Sequence, residues 1–178
     1  MDTQQFWTLV EQARRKTSAP ADADALAQEA TALLSTRPLQ EVIRADQTIY
    51  QLLADSYRAP LWAAAYMING GCSDDGFDYF RGWLIMQGRE TFEQALADPE
   101  ALADHPAIRD AAPEGYELEC ADALSIAWNA HLSVTGQEIP DTVPAVQYPD
   151  LDAAWGFDFD DSDELARRLP RLAALYEY

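Results

Sequence analysis

The stretch from Asn69 to Arg81, Asn-Gly-Gly-Cys-Ser-Asp-Asp-Gly-Phe-Asp-Tyr-Phe-Arg, is where residue types and spacing could do chemistry. Asp74, Asp78 and Arg81 recur at i, i+4 and i+7, which places them on one stripe of a helix, with Asp75 beside it. Gly70 and Gly71 stand just before and permit backbone angles that other residues avoid. Three carboxylates next to such a turn could bind a metal ion, hold a cationic ligand or act as acid and base. Arg81 would then hold an anion or orient a carboxylate. Asn69, Ser73 and Tyr66 complete this candidate ligand- or partner-binding block, and Tyr79 could line the same pocket. A purely structural explanation covers the same residues one at a time. Ser73 stands where an N-cap belongs. Asp74 and Asp75 complement the positive end of the helix, each by ~0.3–1 kcal/mol. Asp78 and Arg81 form a surface pair of about 0.2–0.5 kcal/mol.

Other constellations carry less. Asp158, Asp160, Asp161, Asp163 and Glu164 resemble a calcium loop only superficially: the sixth position lacks glycine and the twelfth is Leu169 instead of glutamate. Ser162 or Asp163 is expected to start a helix there, and the aromatic run Trp155 to Phe159 could contact a partner but is expected to pack back on the body. Cys72, Cys120, His105 and His131 lack the paired spacing of a zinc site, so no metal centre is expected. A Cys–His nucleophilic pair is equally unsupported. His131, three residues after Trp128 on a helix, reads as a structural histidine. No P-loop, dinucleotide-binding, zincin or nucleophile-elbow motif is present, and no cofactor is expected.

The elements that must position these groups are helical. Thr3 or Asp2 can cap a first helix ending near Arg14-Arg15-Lys16. A linker with Pro20 follows, and Asp22 can cap a second helix. Thr36 can cap a third, with Pro38 in its first turn. Pro60 opens a fourth, Leu61 to Ile68, which is apolar all round and should be central. Gly70-Gly71 stops it, and the helix from Ser73 follows, with Gly88 to close or kink it. Another helix runs from Arg89 to Ala97, and residues 99–115 are short helix and loop. The spacing of Leu118, Ala121, Leu124, Trp128 and Leu132 predicts the longest helix over about Tyr116 to Thr135, capped by Gly136. Residues 137–161, with Pro140, Pro144 and Pro149, read as an acidic loop region. Residues 162–178 read as a helical segment broken at Pro170 and ending at Tyr178. No strand pattern or internal repeat is visible.

Composition bounds the function. The 178 residues, 48% hydrophobic with five Trp, eight Tyr and six Phe, suffice for one packed domain. A formal net charge of −19 repels nucleic acid and anionic membranes, and the basic run at residues 14–16 is too short to offset it. Acidity suits solubility, a cation or a basic protein partner. The two cysteines lie far apart in sequence, which fits a reduced cytoplasmic chain. The N-terminus lacks the basic and apolar regions of a signal peptide, and the longest apolar run is much shorter than a membrane span.

Phe6-Trp7, Tyr57, Leu61-Trp62-Ala-Ala-Ala-Tyr66, the run from Asn69 to Ile85 and Gln87-Gly-Arg89 together resemble the uncharacterised bacterial family catalogued as domain of unknown function 4240. The resemblance covers roughly residues 1–135 and is most specific in the central block. The last third, with Pro170-Arg-Leu172, is similar but looser. The resemblance implies a bacterial protein and a single small domain, and it supplies no activity.

The expectation is therefore an all-α, single-domain bundle of about six to eight helices over residues 1–178, with little or no sheet. Its expected function is to bind a basic protein partner through acidic surface around Asp74, Asp75, Asp78 and residues 150–164. An enzyme or cation-binding protein centred on Asp74, Asp75, Asp78 and Arg81 is the alternative, and a purely structural role for that block is the third reading.

Overall fold

The computed structural model describes residues 1–18, 22–140 and 146–176. The expected linker proline Pro20, the loop residue Pro144 and the terminal residue Tyr178 lie outside the described residues. Among the described residues the fold is all-α, with no strand.

Helix α1 (Thr3–Lys16) starts at Asp2, which makes a reciprocal capping box with Gln5. It buries Phe6, Trp7, Leu9 and Val10 and ends on Arg14, Arg15 and Lys16, cations placed at the negative end of the helix. Asp22 caps α2 (Ala23–Leu34) by accepting from the Ala25 N–H. Thr36 does not cap α3 (Leu39–Asp55). Its hydroxyl instead donates to the Leu33 carbonyl, closing α2, and α3 begins after Pro38 with no side-chain cap. Pro60 sits in the first turn of α4 (Ala59–Ile68), and Ser73 caps α5 (Asp74–Met86). Gly88, at φ +92°, turns the chain into α6 (Arg89–Ala97). A 3-10 turn (Pro99–Asp104) and the short α7 (Pro106–Ala111) follow.

The long helix expected over Tyr116 to Thr135 is replaced by an irregular stretch over residues 116–120, a 3-10 turn (Ala121–Ser125) and α8 (Ile126–Thr135), so α3 is the longest described helix. The reason is tertiary. The Leu118 N–H is taken by the Asn69 side chain and the Cys120 N–H by the Tyr79 carbonyl, at 2.9 Å each. Gly82 of α5 admits the Cys120 carbonyl so closely that a Cβ there would lie 2.3 Å from its oxygen. Gly136, in the left-handed region, ends α8 as expected. A 3-10 turn (Ala153–Trp155), α9 (Ser162–Arg168, capped by Asp161) and α10 (Pro170–Tyr176) are the last described elements, with Pro170 separating α9 from α10.

One core runs through the molecule. α1 packs on α2, α2 and α3 both pack on α8, and α5 packs on the 121–125 turn. Burying residues such as Phe6, Phe77 and Leu61 contributes roughly 1.5–3 kcal/mol apiece. α4 is apolar all round, so its outer side also needs cover. α10 supplies part of it, and the aromatic residues Trp155, Phe157 and Phe159 pack against the core from the strap formed by residues 146–161. Trp62 and Tyr66, half-buried on α4, mark where that cover is incomplete. No helix among the described residues is long and apolar enough to cross a membrane.

Candidate functional site: an acidic groove and an aromatic slot beside α4

The glycine turn before α5 is held by internal bonds. Gly70 and Gly71 take φ of +66° and +133°, and the Gly71 N–H closes on the Tyr66 carbonyl at 2.8 Å. Asn69 accepts from the Leu118 N–H through Oδ1, while its buried Nδ2 has no partner. The Trp62 indole donates to the Cys72 carbonyl at 3.1 Å, and Ser73 Oγ accepts from the Gly76 N–H at 3.1 Å. Asp74 and Asp75 are exposed in the first turn of α5.

Arg81 is the departure from expectation. Its side chain is 0% exposed, so the pair with Asp78, whose side chain is 38% exposed, is not a surface pair. The guanidinium donates to the carbonyls of Leu53 and Phe77 and to the Asp78 carboxylate. Its carbon lies 4.6 Å from the centre of the Phe77 ring, 5.2 Å from Tyr57 and 5.3 Å from Tyr148. A buried cation is tolerated where its donors are satisfied and aromatic faces surround it. Arg81 thereby ties α5 to the end of α3 and to the strap.

The candidate nucleophiles and metal ligands do not assemble. Burial, followed by the nearby Glu119 carboxylate, pushes the Cys72 thiol up to about 12, and burial also pushes Cys120 up, so both favour the unreactive thiol. His131 is buried and hydrogen-bonded to the Gln137 carbonyl at 3.0 Å, as a structural histidine would be. His105 packs edge-on against Trp83, and burial and Arg14 lower its pKa. Among the described residues no group of three or more His, Cys, Asp or Glu side chains could hold a metal ion.

Concave surface lies instead where the strap crosses α4. A groove of about 700 Å³ runs between the α3–α4 corner and the strap, lined by Asp55, Tyr57, Arg58, Tyr148, Asp150 and Asp152. Arg58 donates to the Asp55 and Leu96 carbonyls. Tyr57 and Tyr148 meet edge to face with centroids 4.8 Å apart, and Arg81 lies behind both rings. A smaller slot of about 280 Å³ adjoins it, lined by Trp62, Tyr66, Cys72, Asp152, Trp155 and Phe159. Ala59 and Asp152 line both. The strap is pinned over the slot. Tyr66 donates to Asp160 and packs edge-on against Phe159, while Arg168 stacks at 4.8 Å on both Trp155 and Phe157 and donates to the Ala154 carbonyl.

Of the residues singled out from sequence, Tyr66, Cys72, Trp155 and Phe159 line the slot, and Asp150 and Asp152 of the expected acidic stretch line the groove. Asp74, Asp75 and Asp78 line neither the groove nor the slot, and Asn69, Ser73 and Arg81 are engaged in turn, cap and core. Sequence reasoning missed Asp55, Tyr57 and Tyr148 as lining residues. Asp150 and Asp152 carried a signal, being in the acidic loop region, but nothing in the sequence pairs them with residues some ninety positions earlier.

The model of a family described as a protein of unknown function (DUF4240) matches residues 1–132. No curated protein and no solved structure matches the chain. The matched region carries α1 to α7, most of α8 and the α4 side of both clefts, and the strap lies beyond it.

Proposed function

This chain belongs to that family of unknown function, whose model spans most of it, and from that premise we propose that it is a binding module for a basic segment of a protein partner. The observation that carries the reading is the groove, where Asp55, Asp150 and Asp152 line the same concavity as the rings of Tyr57 and Tyr148. Coulomb attraction and ring-face attraction would act there on the same guest cation. The net charge of −19 favours encounter with a basic partner and disfavours nucleic acid or an anionic membrane. Asp74, Asp75 and the acidic residues 158–164 add to that field at a distance. A catalytic or cation-binding role for Asp74, Asp75, Asp78 and Arg81 has less in its favour, because Arg81 donates into the core and the carboxylates share no described cleft with it.

The test is titration of a fluorescently labelled oligo-lysine peptide, read by anisotropy at low and high sodium chloride. Exposed charge pairs are screened over about 8 Å at physiological ionic strength. Saturable binding that weakens steeply with salt is the expected result. Binding insensitive to salt, or no saturable binding at low salt, contradicts the reading.

A further inference from the structure

The slot beside the groove has a chemistry of its own. Two tryptophans, a tyrosine and a phenylalanine line it, with Asp152 at the edge it shares with the groove and the Tyr66–Asp160 pair alongside. Trp62 gives one face to Phe77, stacked at 4.8 Å and 12°, and Trp155 gives one to Arg168. Both rings nonetheless line the slot. This chain already holds its own cations on aromatic faces twice, Arg81 among Tyr57, Phe77 and Tyr148, and Arg168 on Trp155 and Phe157. A volume of about 280 Å³ is at the lower limit for small-molecule pockets and suits a group the size of one side-chain end. An aromatic lining with carboxylates close by is the arrangement that prefers a bulky, weakly hydrated ammonium over a neutral group of the same shape.

We infer that the slot between α4 and the 151–159 segment is a site for an alkylated ammonium group, presented by the basic segment that the neighbouring groove engages. This rests on the reading of the groove as the seat of a basic partner. The ammonium enters beside Asp152, which lines both clefts, so one extended basic segment can occupy the two together.

The probe is choline, compared with the uncharged alcohol in which carbon replaces its nitrogen, both titrated into the full chain at constant ionic strength. The readout is the NMR signals of the five tryptophan indole N–H groups. The expected result is a saturable shift at Trp62 and Trp155 with choline, and binding of the neutral analogue about tenfold weaker or less. Trp155→Leu should weaken choline binding by a similar factor. Because that change removes the platform under Arg168, a second variant, Ala153→Leu, fills the slot from an exposed position and should do the same. Equal binding of the two probes, or no saturable indole shift with choline, overturns the inference. If choline fails while oligo-lysine still binds, the slot assignment falls and the groove reading stands. If choline binds with the expected preference while oligo-lysine does not, the slot's cation chemistry is upheld and the groove reading falls.

Discussion

Two acidic regions of this chain look alike in sequence and differ in the structure. At the start of α5, Asp74 and Asp75 follow a capping serine and Asp78 neutralises a buried arginine. Asp74 and Asp75 sit at the positive end of the helix, Asp78 pairs with Arg81, and none of the three lines the groove or the slot. Beside α4, Asp55, Asp150 and Asp152 come from segments far apart in the chain and line one concavity. A run of carboxylates at a helix start is explained by the helix. Carboxylates brought together on aromatic walls are not explained by any one helix, and the proposed basic partner is what would occupy them.

On the proposed reading α5 serves stability and the groove serves binding, and substitutions can break that contrast. The largest effect is expected from Arg81→Ala, which empties a fully buried site, takes one of two donors from the Leu53 carbonyl and leaves Asp78 without its cation. Chemical denaturation should show a loss of about 3–5 kcal/mol. Gly82→Ala comes next. Its new methyl would collide with the Cys120 carbonyl and the Leu124 side chain, at a cost of about 1–3 kcal/mol read by the same measurement. Ser73→Ala should cost about 1 kcal/mol through the lost cap, with oligo-lysine affinity unchanged. A drop in affinity without a drop in stability would return α5 to the binding site.

The smallest expected effect is on pH dependence. Asp46 is buried on α3, and burial holds its carboxyl above the ordinary carboxylate range. The folded state therefore prefers this group protonated. Its charge opposes folding at neutral pH, and that opposition is relieved as pH falls through the raised value toward the unfolded one. Asp46→Asn should raise stability at neutral pH and reduce this contribution to the pH profile, as followed by denaturation across pH.

What was legible in the sequence was local. The caps at Asp2, Asp22 and Ser73, the stop at Gly136 and the break at Pro170 each follow from a few neighbouring residues. The all-α class follows from the same short-range periodicity. What failed was decided by distant partners. The periodic run after Tyr116 loses its first helical turns because Asn69 and Tyr79 claim the N–H groups of Leu118 and Cys120. Arg81 looks like half of a surface pair until Tyr57 and Tyr148 close over it. The groove was illegible for the same reason, since residues 55–58 and 148–152 meet only in the folded chain.

The most direct test compares two variants with equal charge loss, Asp150→Asn with Asp152→Asn in one and Asp74→Asn with Asp75→Asn in the other. Asparagine keeps the cap that Asp152 gives the Ala154 N–H, so both variants should fold. Oligo-lysine anisotropy at physiological salt should show the groove variant weakened about tenfold or more, and the α5 variant weakened only slightly. Equal weakening would mean that diffuse negative charge attracts the peptide and that the groove has no special part in it.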